Sequence, residues 1–349
     1  MENLSHLFSP ITIKDLRLEN RIVLPPMGTN LGNLDGTVSE ANLAYMKRRT
    51  EGGAGLVITE ISAVHPAGMA INSELGSYDD RFIPGLARLA STIHSAGAKA
   101  FLQLHHAGRE SLYLLKAGKA VAPSPIRSLV FGLTPREITP DEIREVIAAF
   151  GSAASRAVQA GFDGVEVHGA HGYLLTQFLS GLSNQRRDEW GGDIFRRSRF
   201  IVEVLHEVRR RVGSRFPVSL RISAEEFIKD GYTVEDLKPL LPNFIAAGAD
   251  MIHASIGTHG SPGGITSAPL EYPQGFNAER ARKIKEVVNV PVVAVGRFTD
   301  PAQADRVIAQ GDADLVAFGR QFLADPDFIR KARDGRTQDI RRCIACNQG

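Results

Sequence analysis

Two imidazoles three residues apart, with a phenol two residues later, make His168-Gly169-Ala170-His171-Gly172-Tyr173 the most chemically loaded stretch of the sequence. Side by side, His168 and His171 can present two N–H donors to one oxygen, or two lone pairs to a metal ion. Tyr173, with an unperturbed pKa near ~10, is protonated at neutral pH and can give up its proton when one is demanded. A catalytic metal would need a third ligand, which His105, His106 or His253 can supply. Against that hydrolase reading, the first apolar run carries no His-x-His and no Asp follows the eighth. The bland alternative is one structural His, one exposed His and a Tyr that fills the core.

A second cue lies near the C-terminus. Val295-Gly296-Arg297 and Phe318-Gly319-Arg320 each place a glycine, where backbone can approach a ligand closely, directly before a cation. The loops after the last two strands of α/β barrels frequently bind phosphate through such N–H groups. This points to a phosphorylated substrate or a phosphate-bearing cofactor, against the plainer reading of two glycine-assisted helix starts.

The elements that must carry these residues follow a repeated pattern of amphipathic helix, glycine stop, short apolar strand and polar loop. The joints Ala160-Gly161-Phe162-Asp163, Ala247-Gly248-Ala249-Asp250 and Gln310-Gly311-Asp312-Ala313 read alike, each glycine supplying a left-handed C-cap. Eight apolar runs, near 21–24, 55–59, 99–104, 164–167, 218–222, 250–254, 291–295 and 314–317, hardly alternate, as expected of strands buried on both faces. Helices are expected near 40–51, 80–96, 140–160, 193–213, 233–247, 277–288, 300–310 and 326–333. The third opens on a capping box of Thr139, Pro140 and Glu142, and the fifth is interrupted by Pro239 and Pro242. Eight such units predict one (β/α)8 TIM barrel over residues 1–340, followed by a tail over 341–349. The connections 107–138, after strand 3, and 255–275, after strand 6, are too long for plain joints and predict functional loops at the C-terminal mouth. That mouth would gather Pro26-Met27-Gly28, Glu60-Ile61, Gln103, His168 with His171, Arg221, His253 with His259, Gly296-Arg297 and Gly319-Arg320.

Composition narrows the classes. The chain has 349 residues, 43% hydrophobic and 23% charged, with 34 Gly and 18 Pro, which excludes collagen-like, disordered and disulfide-dense proteins. Forty-one basic against 39 acidic residues leave +2, and no basic run, Arg209-Arg210-Arg211 included, exceeds three residues, so nucleic acid is not implied. No apolar run approaches the ~20 residues that span a bilayer, and residues 1–10 do not read as a leader. Two cysteines, Cys343 and Cys346, fit a reducing cytoplasm.

Asn20-Arg21-Ile22-Val23 with Pro26-Met27, Gln103-Leu104 with Gly108-Arg109, and the run His168 to Tyr173-Leu174, Gln177-Phe178-Leu179-Ser180, Asn184, Arg186, Asp188 and Trp190-Gly191-Gly192 together resemble the Old Yellow Enzyme family of flavin-dependent ene-reductases. The resemblance covers about residues 7–346. It implies an FMN-holding (β/α)8 barrel that takes electrons from NADH or NADPH and reduces the C=C bond of α,β-unsaturated carbonyl compounds. On that resemblance Pro26, Met27, Gly28 and the backbone of Ile61 line the isoalloxazine, Gln103 bonds its pyrimidine side, and Arg221 stands where negative charge collects on the reduced ring. Gly296, Arg297, Gly319 and Arg320 hold the phosphate. His168 and His171 donate to the substrate carbonyl, hydride leaves flavin N5 for the β-carbon, and Tyr173 protonates the α-carbon. His259 resembles a second acid of the 2,4-dienoyl-CoA reductase branch, with a mobile loop His as the alternative.

Two departures matter. Gly28 stands where many short family members carry a Cys or Thr that tunes the flavin potential, and Gly181 replaces a common Pro. In the multidomain branch a Cys-x-x-Cys like Cys343–Cys346 begins a four-cysteine iron–sulfur site. Two thiolates cannot complete such a cluster, so none is expected in this chain as given, either as a truncated homologue or as part of a longer protein. The expected partners are an enone- or enoate-type small molecule and NAD(P)H, with no metal, nucleic acid or membrane; a homo-oligomer is left open. A flavin-dependent amine or N-demethylating dehydrogenase is the alternative within the flavin class, and a metal-dependent barrel hydrolase the alternative outside it.

Overall fold

A computed structural model describes residues 4–348. Eight parallel strands, β1 (Ile22–Leu24), β2 (Leu56–Ala63), β3 (Lys99–His105), β4 (Gly164–Gly169), β5 (Val218–Ser223), β6 (Met251–Ser255), β7 (Val292–Val295) and β8 (Leu315–Ala317), pair in sequence order, and β1 pairs with β8 to close the sheet into a barrel. The runs are buried on both sides because the lumen holds one set of alternating side chains and a helical ring covers the other. That ring is α1 (Glu40–Thr50), α2 (Ile83–Ser95), α3 (Pro140–Gln159), α4 (Ile194–Val212), α5 (pieces Val234–Leu237, Lys238–Leu240 and Leu241–Ala246), α6 (Ala278–Lys285), α7 (Pro301–Ala309) and α8 (Phe328–Arg333). The predicted (β/α)8 barrel is therefore the observed fold.

Local chemistry explains the boundaries. At the start of α3, Thr139 Oγ1 accepts the Glu142 N–H at 3.3 Å while Glu142 accepts the Thr139 N–H at 2.9 Å, the reciprocal pair read from sequence. Gly161, Gly248 and Gly311 stop their helices at φ +81°, +121° and +78°, conformations that any Cβ would strain. Pro239 and Pro242 break α5 into its three pieces, since neither can donate to the preceding turn.

Four features were not expected. An N-terminal hairpin, Ile11–Ile13 with Leu16–Leu18, sends Ile13 and Leu18 into an apolar cluster with Leu56, Phe101, Met251 and Leu315, plugging the end of the barrel opposite the mouth. Strand β2 runs four residues past its expected end because of a bulge between Ile58 and Ile61, which carries Glu60 and Ile61 to the rim. Short helices Leu112–Lys116, Leu174–Leu179 and Arg320–Ala324 fill stretches read as loop. Finally, the tail is anchored rather than trailing: Gln321 accepts the Cys343 N–H at 2.9 Å and donates to the Arg341 carbonyl at 2.9 Å, and Asn347 donates to Ser267 at 2.7 Å. Among the described residues no helix is long and apolar enough to cross a membrane.

Candidate active site

The site begins inside the lumen, one layer below the mouth. Strand alternation puts Glu166 and His168 on the same face of β4, two residues apart. Glu166 is fully buried and organises its neighbours: its Oε1 accepts Gln103 Nε2 at 2.9 Å, and its Oε2 accepts Ser219 Oγ at 3.0 Å and His253 Nδ1 at 2.9 Å. Burial alone would raise its pKa, but the His253 ring and the Arg221 guanidinium hold it below the usual carboxylate range. This carboxylate orients Gln103 and His253, the second of which sequence reasoning had offered as a metal ligand. His105, another such candidate, has its Nδ1 bound to the buried Glu74 at 2.8 Å. Among the described residues no three His, Cys, Asp or Glu side chains are gathered as a metal ion would need.

Above this layer the loop after β4 turns back sharply. His171 adopts φ +64° and Gly172 φ +83°, and a Cβ at Gly172 would meet Thr258 Cβ at 2.9 Å. A left-handed histidine is costly and persists because it is fixed on three sides. Its N–H donates to Ser223 Oγ at 3.0 Å, its Nε2 pairs with Ser255 Oγ at 2.7 Å, and its carbonyl accepts the His259 N–H at 3.0 Å. The turn gathers five rings. His168 lies 5.1 Å from His171, and Tyr173 lies 5.2 Å from His168, 4.9 Å from His259 and 4.3 Å from His105, between centroids. So the structure brings together all four expected catalytic side chains, His168, His171, Tyr173 and His259, and adds His105.

Electrostatics set their protonation. Burial, reinforced by the neighbouring imidazoles and Arg221, holds His168 and His171 well below the usual histidine pKa, so both are neutral N–H donors at pH 7. His259, the most exposed of these residues, is lowered to about 4 by desolvation and then by His105. Burial, with the charges of Glu74 and Glu110, pushes the Tyr173 phenol above its ordinary value. Beside the Gly172–Tyr173 turn lies a cavity of ≈ 250 Å³ bordered by Arg109, Gln177, Glu226 and Thr258.

The expected cofactor residues form the rest of the rim. Pro26, Met27, Gly28 and Ile61 are at most partly covered, and a Cβ at Gly319 would meet Met27 Sδ at 3.5 Å. Three buried polar atoms on adjacent strands have no partner among the described residues: Gln103 Oε1, His168 Nδ1 and Arg221 Nε. Buried polar atoms are rarely left so. Arg297 and Arg320 donate to loop carbonyls (Leu270 at 2.9 Å, Ala268 at 2.8 Å) and the Asn347 amide rather than to a carboxylate. Burial lowers the Arg320 pKa; the Cys343 thiol opposes that shift, and the Arg297 charge adds to it. Two adjacent cations without an acidic partner, and a donor and an acceptor on the lumen wall, fit a planar heterocycle bearing an anionic tail, which is what FMN is.

Sequence reasoning missed Glu166 and Glu74. Glu166 had a signal, since an acid inside the apolar run Gly164–Val167 must be partnered within the lumen; Glu74, a loop residue, had none. A Cβ at Gly28 meets nothing within 4 Å, so Gly28→Ala is expected to change stability by less than ~0.5 kcal/mol, measured by urea unfolding. Acid should be destabilising. His106, His168, His171, His253 and His259 all have lowered folded-state pKa values, so below about pH 6.5 the unfolded chain binds more protons and stability falls with pH. The buried Glu60, Glu110 and Glu226, raised by desolvation, act in the opposite sense but are fewer. The thermal midpoint is expected to be lower at pH 5 than at pH 7; a flat profile would contradict neutral burial of the imidazoles.

The chain is similar to several known proteins. The chain is 43% identical over its whole length to an NADH oxidase of Thermoanaerobacter brockii and 39% identical to a metal reductase of Desulforamulus reducens, but it spans only about half the length of each, 54% and 51%. It is 37% identical to an NADPH dehydrogenase of Clostridium acetobutylicum, with 93% of both chains covered. Among solved structures, a 2-naphthoyl-CoA reductase in complex with 2-naphthoyl-CoA superimposes with a TM-score of 0.95 at 31% identity, covering 99% of this chain and 55% of that one. Histamine dehydrogenase from Rhizobium sp. 4-9 does so with 0.86 at 32%, covering 99% and 50%. With residues 6–339 also matching its family model, the chain belongs to the NADH:flavin oxidoreductase / NADH oxidase family.

Proposed function

We propose that this chain is the FMN-binding barrel of an NAD(P)H-dependent ene-reductase that saturates the C=C bond of α,β-unsaturated carbonyl compounds. The observation that carries the reading is the cluster of two neutral imidazole donors with an un-ionised phenol at the barrel mouth. FMN, when bound, supplies hydride from NADH or NADPH to the substrate. Pro26, Met27, Gly28, Ile61, Gln103 and Arg221 would hold its ring, and Gly296, Arg297, Gly319 and Arg320 its phosphate.

The chain's own residues do the rest. His168 and His171 donate N–H groups to the substrate oxygen, whose negative charge grows as the β-carbon is reduced. Donors fixed in place before reaction stabilise that developing charge more than the neutral ground state. Tyr173 keeps its proton at neutral pH and delivers it to the α-carbon; His259, neutral at that pH, stands beside the Tyr173 ring as a hydrogen-bonding group rather than as a second acid. Cys343 and Cys346 alone supply two of the four thiolates that an iron–sulfur cluster takes. The similarity to histamine dehydrogenase supports an amine dehydrogenase as the second reading.

The purified protein should be yellow, bleach on anaerobic addition of NADH or NADPH, and recover colour with cyclohexenone. Bleaching by a tertiary amine, with no recovery by the enone, would instead establish the second reading. A colourless protein that takes up no FMN would overturn both.

A further inference from the structure

We propose that Ser255 is a positioning residue for His171: its hydroxyl donates to His171 Nε2 and so fixes the single proton of that ring on Nδ1, the nitrogen left to meet the substrate oxygen. This rests on His171 being one of the two donors of the proposed reaction. Ser255 ends β6, is buried, and lies in register with Ser223 of β5, while its carbonyl accepts the Ala224 N–H at 2.8 Å. Its Oγ stands 2.7 Å from His171 Nε2. His171 is itself held through its backbone, the N–H by Ser223 Oγ at 3.0 Å and the carbonyl by the His259 N–H at 3.0 Å. Both main chains are thus fixed where the two side chains meet.

The direction of that hydrogen bond follows from what each partner can do. A hydroxyl has one proton to give and two lone pairs that accept. Arg221, which can only donate, directs Nη2 at Ser255 Oγ from the long distance of 3.4 Å. The Ser255 proton needs an acceptor, and among the described residues the one acceptor within hydrogen-bonding distance of Oγ is His171 Nε2. The order is therefore Arg221 to Ser255 to His171, each link polarising the next. Burial keeps the imidazole neutral, so it carries one proton, and the nitrogen that accepts is the one without it. Nδ1 has no partner among the described residues and is not one of their sealed polar atoms, so it is the open nitrogen of the ring. With the proton on Nε2 instead, His171 would spend its only donor on Ser255 and turn a lone pair toward the oxygen on which negative charge develops. That arrangement repels the charge it is meant to stabilise.

The test reads the proton directly. Nitrogen NMR of the FMN-loaded protein carrying isotope-labelled histidine should show hydrogen on His171 Nδ1 and none on Nε2. The signals are identified by their loss in His171→Asn, since Asn tolerates φ +64°. Ser255→Ala should mix the two tautomers and slow flavin reoxidation by cyclohexenone roughly tenfold, less than the hundredfold or more of losing a donor outright. Flavin reduction by NAD(P)H and reoxidation by dioxygen should not change. Ser255→Thr, which keeps the hydroxyl, should retain both the tautomer and the rate. Hydrogen on Nε2 of the unsubstituted protein would overturn the proposal, and that spectrum stands even where Ser255→Ala does not fold. An enone step that Ser255→Ala leaves at full speed, or slows together with flavin reduction, would overturn it as well. If His171→Leu leaves the enone step untouched, it is the reading of His171 as a donor that fails.

Discussion

Tyr173→Phe is expected to slow alkene reduction by at least about a hundredfold, while flavin reduction by nicotinamide changes by no more than about twofold. The split follows from what the substitution removes. Phe keeps the ring that packs against His105, His168 and His259, so the neighbouring imidazoles retain their places. Only the hydroxyl proton is lost, and that proton is needed only when the α-carbon is protonated. Rapid-mixing spectrophotometry of the two half-reactions separates the cases. An equal fall in both would mean that the phenol merely holds the cofactor or the turn, and Tyr173 would then lose its place as the acid.

The second large effect concerns the donors. His168→Leu, nearly conservative in volume, removes a buried imidazole whose Nδ1 has no partner among the described residues, so it breaks no hydrogen bond there. Losing one such donor is expected to cost roughly a hundredfold to a thousandfold in the alkene half-reaction. Reoxidation by dioxygen, which has no carbonyl to polarise, should barely change. His171→Leu should cost a similar factor and also destabilise the fold, because it loses the bond to Ser255 Oγ and puts a side chain less tolerant of the left-handed region at φ +64°. Matching losses with dioxygen and enone would show that the two rings act on the cofactor rather than on the substrate's oxygen.

Legibility of the sequence differed sharply between local and long-range features. The strands, the capping box of α3, the glycine stops and the broken α5 were all readable, because each depends on side chains within a few residues of one another. The N-terminal hairpin was not, because its three-residue strands carry too short an alternation to stand out, and its role as a plug needs Leu56, Phe101, Met251 and Leu315 from four separate strands. Likewise the bulge in β2 exists only against the register of β3.

At the site, the amino-acid order by itself determined which side chains stand toward strand ends: Gln103 and Arg221 lie late in their apolar runs, His168, Gly296 and Gly319 follow theirs, and barrel closure carries every such end to one mouth. What those side chains are was decided in three dimensions. That His168 and His171 are neutral, that Tyr173 is reluctant to ionise, and that His105 and His253 are held by carboxylates rather than free for a metal all depend on desolvation and on charges brought from distant strands. Proton affinity is a property of the surroundings of a group, and Glu74 and Glu166 enter those surroundings only when the sheet has closed.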